Sequence, residues 1–234
     1  MIKYFFFLKC FLVSTFLALS LGVQAGAYED FFKALDADDS QKVAVFLNKG
    51  FDINALDNAG TPVIVRAVQK NALQVLRVIV ELPGIDIEQP DRQGDTALLL
   101  AALVGKNEFV GCLLAAGAQV NRAGWNALHY AATNAHVETM RLLLEANAYI
   151  DAFSSNKTTP LMLAARANAD SAVAFLLAQG ADPTLVSEAG FNAAGYAMKA
   201  GNAKLGERLL LAARDFKNKY YRFPTSVSGD ARRE

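Results

Sequence analysis

The chain has 234 residues, of which 53% are apolar and 20% charged; this fits a folded protein with a sizeable core and excludes a disordered one. Lysine plus arginine balances aspartate plus glutamate at 23 each, so no overall basic field draws in nucleic acid.

Residues 1–25, MIKYFFFLKCFLVSTFLALSLGVQA, open with Lys3, run apolar with only Lys9 interrupting, and close on Val23-Gln24-Ala25. Small residues at the first and third places before a cut suit signal peptidase. The stretch is therefore expected to be a secretory signal cleaved after Ala25, with Ala27 as the second choice. The alternative is an uncleaved anchor: Tyr4 to Val23 just spans a bilayer, at the cost of burying Lys9. Cys10 lies too early, and lacks the small-residue context, to be a lipoprotein cysteine. Cleavage leaves 21 basic and 23 acidic side chains, a net charge of −2, and the single cysteine Cys112. An exported chain without an internal disulfide takes its stability from its core. The expected location is the periplasm first and the extracellular space second, with no stable membrane insertion after cleavage.

Two markers then recur along the chain. A Thr or Asn opens a helix at Thr61, Thr96, Asn126, Thr159 and Asn192, at spacings of 35, 30, 33 and 33. A Gly or Asn closes a Leu-rich helix at Gly50, Gly84, Gly117, Asn147 and Gly180, at spacings of 34, 33, 30 and 33. TALLLAALVGKNEFVGCLLAAGAQV, NALHYAATNAHVETMRLLLEANAYI and TPLMLAARANADSAVAFLLAQGADP align without a gap. Each begins with a capping side chain, then a short helix with an alanine pair (Ala101-Ala102, Ala131-Ala132, Ala164-Ala165) that lets neighbouring helices approach closely. A polar turn and a Leu-rich second helix follow, and a left-handed residue ends the unit.

This pattern resembles the ankyrin repeat. Gly124-Trp125-Asn126-Ala127-Leu128-His129 with Ala131-Ala132, and Thr159-Pro160-Leu161 with Ala164-Ala165, Leu176-Leu177 and Gly180-Ala181-Asp182, match the family's Gly-x-Thr-Pro-Leu-His, Ala-Ala, Leu-Leu and Gly-Ala elements. Six units are expected, at 27–56, 57–90, 91–121, 122–153, 154–186 and 187–214. The second carries two extra residues in Glu81-Leu82-Pro83-Gly84, and the loop opening the fourth is three residues short. The first and sixth read as caps, because end repeats need a polar outer side. The resemblance implies an all-α fold: a solenoid of about six helix-turn-helix repeats with short β-hairpin loops. The domain then covers residues 26–214, and 215–234 form a tail in which Tyr220 to Pro224 pack back on the last repeat. The tail's basic residues are few and diluted by acids, so it carries no nucleic-acid role.

The chemistry-bearing residues take structural places in the repeat. His129 falls on the family's histidine, which ties repeats together, and His136 falls in the turn between helices. Cys112 sits beside Leu113 and Leu114 as a small packing residue. Asp36, Asp38 and Asp39 read as a solvated helix end, since the spacing of a calcium loop is missing. No metal, no cofactor and no catalysis are expected.

What remains is the surface. In the family the hairpin tips and first helices bind protein partners, and carrying those positions over gives a candidate set. Arg92, Gln93 and Asp95 stand at one tip, Arg122 and Trp125 at the next, then Ser155 and Asn156, then Glu188 and Phe191. On the first helices Leu103, Tyr130, Thr133, Asn134, Arg166 and Lys199 face the same way. Trp125 stands out, because an aromatic at the variable place before Asn126 fits a hot spot; filling space left by the short loop is its other reading. The expectation is an exported, monomeric, non-catalytic adaptor or scaffold for an unidentified protein. The alternatives are a secreted effector binding a host protein and an enzyme using Cys112 or the histidines.

Overall fold

A computed structural model describes residues 26–221; the expected signal at 1–25 and the tail beyond 221 lie outside them. The described residues form twelve helices in six consecutive pairs, the all-α helix-turn-helix arrangement that the repeat pattern implies. They are α1 (26–36) with α2 (Ser40–Asn48), α3 (Val63–Gln69) with α4 (Leu73–Ile79), and α5 (Ala97–Val104) with α6 (Asn107–Ala115). Then follow α7 (Ala127–Thr133) with α8 (Val137–Glu145), α9 (Pro160–Arg166) with α10 (Asp170–Ala178), and α11 (Ala193–Lys199) with α12 (Ala203–Tyr220). Two compact units divide the chain, one ending at Ala97 and the other beginning at Leu98. Among the described residues no helix is long and apolar enough to cross a membrane.

In the second unit the first helices stack in order, α7 on α9 and α9 on α11. The alanine pairs make this stacking close: Ala101, Ala102, Ala131, Ala132, Ala164 and Ala165 are fully buried. Leu113, Met140, Leu143 and Leu176 bury the second helices against them, each such side chain contributing about 1.5–3 kcal/mol. Asn126, Thr159 and Asn192 cap α7, α9 and α11 as their side-chain chemistry requires, each accepting a main-chain N–H three residues on. Thr61 departs from this pattern. Its own N–H is held by the Asp57 carboxylate at 2.8 Å, and Pro62 stays extended as the N-cap residue, so α3 starts one residue later.

The first unit opens with a cluster of rings. Phe31 stacks on Phe51 at 3.9 Å between centroids, and Tyr28, Phe32 and Phe46 pack around them. The acidic turn there is not a merely solvated end. Asp39 accepts the Lys42 N–H and caps α2, while Asp38 accepts the Val75 and Gln74 N–H groups at 2.9 and 3.2 Å and so caps α4 of the next repeat. Asp36 pairs with Arg66. The extra residues before Gly84 do not lengthen α4, which ends at Ile79. Pro83 disfavours helical geometry in the residue before it, so Val80 to Pro83 turn instead.

Four of the loop tips are five-residue turns, and one isolated antiparallel bridge, Leu56 to Pro62, is the only β pairing among the described residues. In each of four tips the N–H of the first residue donates to the carbonyl of the fifth, as Asp57 to Thr61, Asp91 to Asp95, Ser154 to Thr158 and Ser187 to Phe191. The fourth place needs a left-handed backbone, supplied by Gly60, Gly94, Lys157 and Gly190. Five residues leave no length for a ladder. At the far end α12 continues to Tyr220, through residues expected to leave the pattern. Tyr220 and Tyr221 are exposed, at 57% and 58%, so these two do not pack back; residues 222–224 lie outside the described region.

A side-chain ladder joins the loop ends between repeats. Asn54 accepts the Asp86 N–H and donates to the Gly84 carbonyl, both at 2.8 Å. Asn121 does the same with the Tyr149 N–H and the Asn147 carbonyl, again at 2.8 Å. In the next repeat Asp151 takes this place. Its carboxylate accepts the Asp182 N–H at 3.1 and 3.2 Å but has no proton to donate. Burial, only partly offset by that N–H, pushes its carboxyl above the ordinary value. A folded value above the unfolded one means that ionising Asp151 costs stability as pH rises through this range, and the cost is complete at pH 7. Asp151→Asn is therefore expected to stabilise the protein at pH 7 by about 1 kcal/mol, with the gain shrinking towards pH 4. Thermal melts at both pH values check this, and equal melting of the two proteins at pH 7 rules it out.

Candidate functional site

The tips and first helices of the second unit hold the most distinctive side chains. Trp125 precedes the cap Asn126, and its ring leans on α7 of its own repeat, 5.4 Å from the Tyr130 ring and 5.9 Å from the His129 ring. Phe191 holds the same place before Asn192 and contacts Tyr196 at 5.9 Å. Lys199 brings its Nζ 5.1 Å from the Phe191 ring centroid, a cation–π contact. Gly195 makes room for this arrangement: a β-carbon there would lie 3.0 Å from Phe191 Cδ1. The glycine at the histidine position thus lets the aromatic ring settle on α11. All four rings are half-buried.

His129 underlies the first aromatic pair and is fully buried. Its Nε2–H donates to the Thr158 carbonyl of the next repeat at 3.0 Å. Its Nδ1 faces Asn126, 3.3 Å from the main-chain N–H and 2.8 Å from the side-chain oxygen. Burial holds the imidazole below its ordinary value, outweighing the bonds to Thr158 and Ala152, so the ring is neutral at pH 7. His136 donates from Nε2 to the Leu103 carbonyl at 3.1 Å and fills the space over Gly105. Both histidines thus tie neighbouring repeats. Among the described residues no three His, Cys, Asp or Glu side chains cluster in a way that would hold a metal ion.

The other candidate residues divide into two kinds. Several are used in internal bonding. Asn134 donates to the Leu103 carbonyl at 2.9 Å, and the Thr133 hydroxyl donates to the His129 carbonyl at 2.9 Å. The Asn156 side chain accepts from Ser154 and Thr158, and its carbonyl accepts the Glu188 N–H. Others project outwards: Ser155, Arg166, Glu188 and Lys199 are exposed, while Arg122 and Leu103 are half-buried. In the first unit Gln93 is exposed and Asp95 half-buried. There the Arg92 guanidinium occupies the space that a β-carbon at Gly60 would take, so it packs on the neighbouring tip. Tyr196 was not among the expected residues, though it sits four places after Asn192 as Tyr130 does after Asn126. Its hydroxyl donates to Ser187 Oγ at 3.1 Å.

The charge is arranged by layer. The first helices α5, α7, α9 and α11 carry no acidic residue, and Arg166 and Lys199 end α9 and α11. The acids stand on the second helices, at Glu108, Glu138, Glu145, Asp170, Glu207 and Asp215. There they meet the cations of that layer, as Arg141 with Glu138 and Glu145, and Arg208 with Asp170.

Comparison with known proteins agrees with this geometry. A family model described as ankyrin repeats (3 copies) matches residues 66–154 and 98–187, together more than half of the chain. Rabankyrin-5 of Mus musculus is 31% identical over 148 residues, 60% of this chain and 13% of that protein. The nuclear factor NF-kappa-B p105 subunit of Mus musculus is 32% identical over 143 residues, 57% of this chain and 14% of that protein. The chain thus spans about an eighth of the length of these relatives. Among solved structures, an ankyrin repeat domain from Acinetobacter baumannii AYE superposes with a TM-score of 0.69 at 28% identity, covering 78% of this chain and 97% of that one.

Proposed function

Because the chain belongs to the ankyrin-repeat family, a family of protein-protein interaction modules, we propose that it is a non-catalytic adaptor or scaffold. It docks one partner protein on the tips and first helices of its second unit. The observation that carries this reading is the repeated aromatic pair, Trp125 with Tyr130 and Phe191 with Tyr196, each ring held by its neighbour and half-buried. Aromatic rings fixed by neighbours offer contact area at little ordering cost, as binding hot spots require. The leader-like residues 1–25 support action outside the cytoplasm, in the periplasm or beyond the cell. Recovery of the processed protein from the medium rather than from the periplasm would favour the effector reading.

Affinity capture from the native compartment tests this proposal. The parent protein is expected to retain a partner that Trp125→Ala loses, by about 2 kcal/mol or some 30-fold in affinity, with the helical signal unchanged. Equal retention by both proteins would place the interface elsewhere, and no partner at all would remove the adaptor reading.

A further inference from the structure

We infer that the second unit binds an extended, acidic protein segment carrying two apolar residues about six positions apart. This rests on the proposed docking role and names the chemistry of the partner. Trp125 and Phe191 occupy the same place two repeats apart, with the repeat of α9 between them. Packed helices stand about 8–10 Å apart, so the two aromatic anchors lie roughly 20 Å from each other. An extended chain rises about 3.3 Å per residue and covers that distance in about six. At the two matching places the repeat between offers no third ring. Thr158 stands where Trp125 and Phe191 stand, and Leu163, in the place of Tyr130 and Tyr196, is fully buried. Instead it supplies Lys157 at its tip and Arg166 at the end of α9, both exposed. Lys199 continues the row one repeat on, with its ammonium over Phe191. Among the described residues no ion pair holds Lys157, Arg166 or Lys199, in contrast to the paired cations Arg141 and Arg208 of the second helices. Glu188 is the acid that faces them from the tips, and it is outnumbered. Apolar anchors at both ends with cations between them complement a segment of the form apolar, five residues rich in Asp and Glu, apolar.

The chain has one tryptophan, Trp125, so its emission reports occupancy of the first anchor directly. The probe is a capped peptide of two leucines separated by five acidic residues, titrated into the full chain. It is expected to shift the emission saturably. Affinity should fall about tenfold in the doubly substituted Arg166→Glu, Lys199→Glu protein, which should melt as the parent does because both positions are exposed. A peptide with five lysines between the leucines, or with serines for leucines, is expected to leave the emission unchanged. Equal binding of the lysine peptide, binding of an oligonucleotide as tight as that of the acidic peptide, or no saturable shift overturns the inference. If the acidic peptide fails while Trp125-dependent capture still recovers a partner, the acidic chemistry falls and the docking role stands. If both fail, both fall.

Discussion

His129→Ala is expected to destabilise the second unit by about 3 kcal/mol. The imidazole is fully buried and bonds in two directions, to Asn126 at the start of its own helix and to the Thr158 carbonyl of the next repeat. Truncation leaves a cavity under Trp125, strands the Asn126 N–H away from water and leaves the Thr158 carbonyl with the Ser154 N–H alone. The stranded N–H costs about 1–3 kcal/mol, and partial relaxation of the surroundings keeps the total below the simple sum with the cavity. The effect also has a pH signature. Burial depresses the folded imidazole below its unfolded value of about 6.5, so the unfolded chain takes up a proton that the folded one refuses. The parent protein therefore loses stability as pH falls below about 6.5, and the alanine variant lacks that part of the slope. Urea midpoints at pH 7 and pH 5 measure both quantities; a loss under 1 kcal/mol at pH 7, with parallel slopes, would contradict this account.

Arg66→Ala is expected to cost the first unit about 2 kcal/mol, less than a fully buried pair because Arg66 and Asp36 are partly exposed. Arg66 stands in α3 where the later repeats have the first alanine of their pair. Its guanidinium grips Asp36 of the preceding repeat through Nε and one terminal nitrogen, both at 2.7 Å, and bonds Asp57 through the other. It also lies 5.2 Å from the Phe32 ring centroid. Asp57 is buried, which alone would push its carboxyl up, but the Thr61 and Ala59 N–H groups and Arg66 outweigh burial and hold it below the ordinary value. A depressed folded carboxylate contributes stability that is complete above about pH 4 and is lost as pH falls through the folded value. Removing Arg66 raises the folded value and shrinks that contribution, so the variant's acid-unfolding midpoint should move to higher pH. Arg66→Met, which restores the apolar stem but not the charge, should recover less than half of the loss. Full recovery would mean that packing rather than charge holds the site.

The legible part of this molecule was everything that repeats locally. A cap and the N–H it accepts lie three residues apart, and the alanine pair and the Leu-rich helix recur at a fixed phase, so Asn126, Thr159 and Asn192, the paired alanines and the structural role of His129 could be read from the chain. Tertiary structure decided whatever depends on a partner about thirty residues away. The Asn54, Asn121 and Asp151 ladder, Asp38 capping α4, and Arg66 in an alanine's place each join neighbouring repeats. Their side chains are ordinary surface types, and only the stacking distance shows which carbonyl or carboxylate each one reaches. The candidate surface divides in the same way. Position in the repeat marked Trp125, Phe191 and Lys199, but packing decided that the rings lean on their own helices and that Asn134 and Asn156 serve the scaffold. A period records which residues share a register, whereas the use of each side chain is set by what its neighbours in space leave unbonded.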